Sequence, residues 1–339
     1  MEPPTTERKP SASAADGVGS PRRFATAWAL EQSTLGLAAG TFWALQLAIA
    51  TRPAALLLAR PALIVAAALA AVGCLAQAVL PAASLWQSEV TRSGWGARAA
   101  LRQRVVASLG VALAAALAVA AFVAPVYGEA DKPPTRLDDL PLAAMAVPAL
   151  LATLWLGLAA LRAGGDDGGP GRAMVSANPI ATLAQPTGQA LLGGMALMLL
   201  VGMVIGRITA ELTYELAAGV SMAALWASGS AGRVLRGLHQ LRAREQRAGL
   251  RRPGLDAALR LAVMATLLGV LLPAVVIVGE LARARVAGVI IAAFALVASG
   301  HPLRYGLSLA LWHGRDTSHL YGAAGDSSGA TADAFDTAG

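Results

Sequence analysis

A carboxylate and an amide stand inside the first long apolar run of the sequence, where hydrocarbon side chains are expected. The run covers residues 24–50 and carries Glu31 and Gln32 well within it. An ionisable residue inside a membrane-spanning helix is costly, so it indicates either a functional site or a buried hydrogen bond to a neighbouring helix. Both interpretations of Glu31 stay open from the sequence alone.

Two further groups of ionisable residues stand where apolar runs meet. Arg207, Glu211 and Glu215 are spaced by four residues, which places them on one helical stripe and predicts an Arg207–Glu211 ion pair. Glu280 and Arg283 stand at the turn before the last run. Such carboxylates are compatible with three roles. They can take part in proton-coupled binding of a quinone headgroup, carry the proton in a proton-coupled transporter, or form a simple solvated ion pair. The candidate quinol or proton site is therefore made of Glu31, Gln32, Arg207, Glu211, Glu215, Glu280 and Arg283.

The sequence holds no motif for other kinds of active site. HExxH, CxxC, GxSxG and Walker motifs are absent, so neither a metal site nor a catalytic nucleophile is predicted. A bis-histidine haem needs histidines that face each other within helices, and the first of the four histidines is His239, so no haem is expected. The single cysteine, Cys74, excludes a disulfide within the chain and a thiolate-bound iron–sulfur cluster.

The composition indicates that membrane-spanning helices position these residues. The 339 residues are 56% hydrophobic and 14% charged, whereas soluble proteins carry about 25% charged residues. Apolar stretches of about 20 residues, enough to cross a bilayer, recur along the chain. We predict an all-α, polytopic protein of the lipid bilayer with about eight transmembrane helices, over 24–50, 59–82, 104–127, 141–162, 187–206, 209–228, 257–279 and 286–312.

Disordered tails, 1–23 and 313–339, are predicted to flank this transmembrane domain, 24–312. A basic amphipathic connection, 229–256, is predicted to lie along the inner lipid headgroups, with a docking surface for a soluble partner as the alternative. The segment Gly300-His301-Pro302 predicts a kink or an early end in the last helix.

Basic residues are distributed unevenly between the two sides of the predicted bundle. Most of the 27 Lys and Arg residues lie in the two tails and in the connections on the same side of the predicted bundle as the amino terminus. The positive-inside rule then places both termini in the cytoplasm and the protein in the cytoplasmic (inner) membrane. The net charge of +7 is explained by this orientation, and no nucleic-acid partner is expected.

Small residues in the first apolar run predict how its helix packs. Gln32, Gly36 and Gly40 share one helical stripe, and Gly36 and Gly40 form a GxxxG step. Such a step lets a neighbouring helix approach closely, so we expect a close helix contact beside the polar pair.

Four stretches, in order, resemble the membrane-anchor subunit of dimethyl sulfoxide reductase, one of the eight-helix quinol-oxidising anchors. The first helix of that family resembles the stretch Leu30-Glu-Gln-Ser-Thr-Leu-Gly-Leu-Ala-Ala-Gly40. Val72-Gly-Cys-Leu-Ala-Gln77 with the residues up to Gly94 is similar to its helix-two exit. Thr182 to Gly194 resembles a later helix entry, and Gly279-Glu-Leu-Ala-Arg283 resembles its Gly-Glu-Leu-x-x-Arg segment.

The resemblance implies a membrane anchor of a molybdenum-type oxidoreductase complex. Such a subunit binds menaquinol or ubiquinol, holds no covalently bound cofactor, and passes electrons to an iron–sulfur subunit and onward to a molybdopterin catalytic subunit. The chain itself is then a non-catalytic or quinol-binding subunit, and the outward loops 128–140 and 280–285 would face an exported partner. The family's histidine and proline-linked arginine at the helix-two exit are replaced by Val79 and Leu85. His301-Pro-Leu-Arg304 is similar to that motif but stands in another helix.

Two functions of other classes remain open. One is a proton-coupled small-molecule transporter in which Glu31, Glu211 or Glu280 carries the proton. The other is a non-catalytic membrane scaffold in which every polar group is structural.

Overall fold

The computed structural model describes residues 21–79, 96–125, 142–164, 179–247 and 253–315. These residues are almost entirely helical, and no strand occurs among them. The predicted tails lie outside the described residues except at their inner edges. The first helix already begins at Pro21 and the last ends at Arg315.

Nine α-helices follow one another in the described ranges. Their bounds are α1 Pro21–Thr51, α2 Ala59–Val79, α3 Gly96–Val123, α4 Leu142–Gly164, α5 Pro179–Ile205, α6 Ala210–Arg247, α7 Pro253–Thr266, α8 Leu272–Ala282 and α9 Val286–Arg315. A 3₁₀ helix, Pro53–Leu58, precedes α2, and a π-helical segment, Leu267–Leu271, joins α7 to α8.

The outer surface of this bundle is apolar. Phe122 is 83% exposed, and Met222, Leu225 and Ile291 are also largely exposed. Monomeric soluble proteins rarely expose so many large apolar side chains, and a bilayer covers them. Six helices in the described ranges are long and apolar enough to cross a membrane. The all-α membrane class is therefore confirmed, and the number eight stays a prediction.

Helix α1 lies at the centre of the bundle. It packs against α2, α4, α5 and α9, and its side chains Leu35, Phe42 and Leu45 are fully buried. Two-thirds of its apolar window is buried inside the protein, which explains how one helix can carry several polar residues without exposing them to lipid.

The predicted close contact at the GxxxG step is confirmed. Gly40 lies directly on the carbonyl of Ala190 in α5, and Gly194, one turn further along α5, lies on the backbone of Gly40. A side chain at either glycine would overlap with the facing backbone. Glycine is therefore needed at both positions for α1 and α5 to approach this closely.

A π-helical segment interrupts the helix formed by α7 and α8. Pro273 lies just after it and has no N–H to donate to the carbonyl four residues earlier, so the local hydrogen bonding shifts. Gly269 within this segment packs on α9, where an added Cβ would lie only 2.6 Å from the Cβ of Ser299. The irregular turn thus faces the interior of the bundle.

The structure bears on two expectations about the carboxyl-terminal half. The basic connection is not a separate interfacial helix, because α6 is one helix of 38 residues. Its side chains Leu235 and Leu238 pack on α7 and on Leu303 of α9, so they are buried by protein and not by headgroups. The last helix does not end early at Pro302 but continues to Arg315, and the alternative, a kink at Pro302, stays a prediction.

The glycine contact yields a test of the fold. Gly40→Ala should lower the free energy of unfolding by about 1–3 kcal/mol, the usual cost of overpacking, because its methyl group meets the Ala190 carbonyl. Gly157→Ala in α4 is the matched control, since no atom lies within 4 Å of its added Cβ. Thermal unfolding of the detergent-solubilised protein measures both changes, and equal stabilities of the two variants would contradict the contact.

Candidate functional site

The predicted site residues lie at opposite ends of the bundle. We call the end where α1 begins the proximal end and the end where it finishes the distal end. Glu31 and Gln32 belong to the proximal end. The other five residues belong to the distal end. The contact of Arg52 with Glu211 and the antiparallel course of successive helices place them there: Arg207, Glu211, Glu215, Glu280 and Arg283. The seven residues therefore do not form one site.

At the distal end, Arg52 binds two of the predicted carboxylates. Its Nε lies 2.6 Å from Oε1 of Glu215, and its Nη1 lies 3.3 Å from Oε2 of Glu211. The hydrogen bond to Glu215 and the attraction of both carboxylates raise the pKa of Arg52. All three side chains are more than one-third exposed, and exposed ion pairs stabilise little. This cluster ties the end of α1 to the start of α6.

The predicted helical stripe through Arg207 is wrong. Helix α5 ends at Ile205, Gly206 takes a positive φ of 70°, and α6 begins only at Ala210. Arg207 therefore lies in the connecting turn, where the helical spacing to Glu211 does not hold. Both glutamates form an ion pair with Arg52, about 160 residues earlier in the chain.

Glu280 and Arg283 form a second distal ion pair. Nη1 of Arg283 lies 3.4 Å from Oε1 of Glu280, at the end of α8. The Glu280 carboxylate also lies against Gly288 of α9, where a side chain would overlap with it. The Gly-Glu-Leu segment thus lies at the turn between α8 and α9, where Glu280 contacts both helices.

At the proximal end, Glu31 is 4% exposed and lies on the side of α1 that faces α2. The same side carries Thr34, which packs on Gly73 of α2. Cys74 is close enough to Glu31 for the carboxylate charge to act on the thiol. The turn of α1 that bears Glu31 therefore packs on the last turns of α2.

Gln32 is equally buried, and its Nε2 has no hydrogen-bond partner among the described residues. A buried amide without a partner is destabilising, so such a group marks a place where a ligand or water can bind. Gln32 and Glu31 together put an N–H donor and a carboxylate on adjacent residues.

The structure adds a buried arginine that sequence reasoning did not select. Arg304 of α9 is 6% exposed, and its Nε donates to Oε1 of Gln189 in α5 at 3.2 Å. The same oxygen accepts a hydrogen bond from Nε2 of Gln185 at 3.0 Å. Gln189 in turn donates to the Gly300 carbonyl at 3.2 Å, so one amide joins α5 to α9.

Gly36 makes room for this arginine. A Cβ added at Gly36 would lie 2.6 and 2.7 Å from the two terminal nitrogens of Arg304, so the guanidinium points these nitrogens at the backbone of α1. The two glycines of the GxxxG step thus have different partners, since Gly40 contacts α5 and Gly36 contacts Arg304.

A small cavity of about 10 Å³ adjoins the guanidinium, with room for about one water molecule. Ser33 of α1, Gln189 of α5, Val270 of the π-helical segment and Ser299 of α9 are among the residues that line it. Four helical elements therefore meet at this point.

Sequence signals for these residues existed. Gln185 and Gln189 stand one helical turn apart inside an apolar helix, and His301-Pro-Leu-Arg304 places a cation inside another. The contact between Arg304 and Gln189 could not be predicted, because more than 110 residues separate the two. Among the described residues, no group of three or more His, Cys, Asp or Glu side chains is arranged to hold a metal ion.

Comparison with protein-family models, with curated proteins and with solved structures finds no match.

The amide that joins α5 to α9 yields a second test. Gln189→Leu should lower the free energy of unfolding by about 3 kcal/mol, because it leaves the buried Arg304 Nε and Gln185 amide unpaired. Gln185→Leu is the matched control. It leaves the Arg304–Gln189 bond in place and should cost about 1 kcal/mol. Equal losses in thermal unfolding would show that Gln189 does not have this joining role.

Proposed function

We propose that the protein is the quinol-binding membrane anchor of a molybdenum-type oxidoreductase complex, with Glu31 as the group that accepts a quinol proton. The observation that carries the proposal is the position of Glu31 beside the end of α2. The family resemblance locates quinol binding at the exit of the second helix. Residues 80–95, which include Leu85, lie outside the described residues.

Glu31 supplies a proton acceptor for a quinol hydroxyl, and Gln32, about 100° further round α1, supplies an N–H donor on a neighbouring face. Quinol oxidation releases two protons and two electrons. One hydroxyl gives its proton to an acceptor in the site, the other would release its proton to water at the proximal end, and a quinone oxygen formed needs an N–H donor. A buried carboxylate is a suitable acceptor, and the unpaired Nε2 of Gln32 is a suitable donor. In this proposal the pair replaces the family's histidine and arginine, which are missing at Val79 and Leu85.

The electrons must leave through a partner, because the sequence supports no redox cofactor in this chain. In a cofactor enzyme the protein supplies binding, orientation and proton routing. Since electrons must leave close to the quinol, the iron–sulfur subunit would dock on the proximal face, and the molybdopterin subunit would bind to it. The distal loop 280–285 is then not the docking surface.

The proposal includes the complete transmembrane arrangement. Helix α4 and the first part of α6 would add two crossings to the six helices of sufficient length, giving eight. Exposed apolar residues of α6, Met222, Leu225 and Trp226, support its contact with lipid. Both termini would be cytoplasmic in the inner membrane, as the distribution of basic residues favours.

The experiment is to purify the chain with its bound partners and titrate a quinol analogue. Glu31→Gln should reduce quinol-dependent electron transfer at least about a hundredfold, the range expected for loss of a general base, while the partners stay bound. Glu280→Gln at the distal end is the matched control and should leave the rate unchanged. The proposal would be contradicted if no iron–sulfur partner is present in the purified complex. It would also be contradicted if Glu31→Gln leaves the rate of quinol-dependent electron transfer unchanged.

A proton-coupled transporter is the second candidate, because a buried acid inside a span can carry a proton and Glu31 is such an acid. Uptake by proteoliposomes that depends on a pH gradient and on Glu31, without quinol-linked electron transfer, would favour it. Failure of Glu31→Gln to change either activity would favour a structural scaffold.

A further inference from the structure

Seven exposed residues of α6 share one side of the helix, which we call the α6 face. They run from apolar side chains to two arginines: Met222, Leu225, Trp226, Gly229, Gly232, Arg233 and Arg236. At about 100° per residue, all seven lie within about 120° of the helix circumference. The surface that the hydrocarbon of a bilayer covers is therefore continuous with the two arginines.

The contact of Trp226 with α5 shows where the α6 face leaves the hydrocarbon. Trp226 packs on Gly188, and the apolar span of α5 begins four residues earlier, at Ala184. The two helices pack together and follow each other in opposite directions. At about 1.5 Å per residue, the limit of the span is then level with Ser230 of α6. Arg233 lies about one turn beyond it, at the level of the lipid headgroups.

Arg233 and Arg236 provide cations at this level. Neither takes part in the ion pairs found within the described residues. A guanidinium stays charged and binds phosphate oxygens through two parallel N–H groups. Side chains of a helix lean towards the preceding turn, so both arginines lean back towards the membrane.

Two glycines leave the surface beneath the arginines open. A Cβ added at Gly229 or at Gly232 would meet no described atom within 4 Å, so packing inside the described part of the chain does not require glycine at either position. Glycine is less favourable than alanine inside a helix. An occupant that needs a flat surface beside the arginines accounts for both glycines.

We propose that the α6 face binds one anionic glycerophospholipid at the proximal end. Arg233 and Arg236 hold its phosphate, and one acyl chain lies along the glycines and Trp226. The occupant is a lipid and not a free phosphate because the apolar and basic parts of the face are continuous. Its net charge is negative because two arginines favour anionic over zwitterionic headgroups. The inference rests on the proposed crossing of α6 and does not depend on quinol binding.

The test is lipid binding to the purified, delipidated protein in neutral detergent, measured by native mass spectrometry. The wild type should bind one phosphatidylglycerol in preference to phosphatidylcholine. Arg233→Gln combined with Arg236→Gln should weaken phosphatidylglycerol binding about tenfold or more, because each basic residue at an anionic surface strengthens binding about fivefold. Glycerophosphoglycerol, the same headgroup without acyl chains, should not compete.

Arg247→Gln is the matched control. Arg247 is an exposed arginine of the same helix, but it lies about 16 Å beyond Arg236 at the usual rise per residue. This distance is about twice the Debye length at physiological ionic strength. The control variant should therefore bind phosphatidylglycerol as the wild type does.

A further variant keeps both charges and fills the open surface. Gly229→Leu should weaken phosphatidylglycerol binding about tenfold, which corresponds to roughly 50 Å² of lost apolar contact. Because the replaced positions are exposed, every variant should unfold at the wild-type temperature, and thermal unfolding checks this.

Four outcomes would overturn the inference. Equal binding of the two lipids by the wild type would mean that the face makes apolar contacts only. Undiminished phosphatidylglycerol binding by the double arginine variant would place the lipid elsewhere. An equal loss in Arg247→Gln would show attraction by net charge alone, and competition by glycerophosphoglycerol would show a site for a soluble phosphate. Wild type that binds neither lipid would also remove the proposed crossing of α6, whereas quinol-linked activity is measured separately.

Discussion

The close approach of α1 to α5 and α9 is the constraint on which the rest of the structure depends. Gly40 and Gly194 bring two backbones into contact, and Gly36 leaves room for the guanidinium of Arg304. Beside this contact, Gln189 connects α5 to α9. One stripe of small residues therefore determines both the packing of the bundle and the place where its charge is buried.

The central helix separates two polar environments. Glu31 faces α2, whereas Gly36 and Ser33 face Arg304 and its cavity. The proton-accepting role that we propose for Glu31 therefore does not involve Arg304.

Local patterns in the sequence predicted the central helix well. The GxxxG step, the burial of Glu31 and the membrane class follow from composition and from the spacing of residues within one helix. The prediction for Arg207 was wrong because Gly206 ends α5, and a spacing rule holds only inside a continuous helix. The basic part of α6 was misinterpreted because an apolar helix face looks the same whether lipid or another helix covers it. The Arg304–Gln189 and Arg52–Glu215 contacts join residues more than 110 apart, and single-helix patterns do not contain such information.

A double-mutant cycle between Gly36→Ala and Arg304→Met tests the central claim most directly, with thermal unfolding as the measurement. In the wild-type background the added methyl group meets the guanidinium, so Gly36→Ala should cost about 1–3 kcal/mol. In the Arg304→Met background the same substitution should cost far less, giving a coupling free energy of about 1 kcal/mol or more. Additive effects of the two substitutions would show that Arg304 does not lie on Gly36, and the account of the buried charge would be wrong.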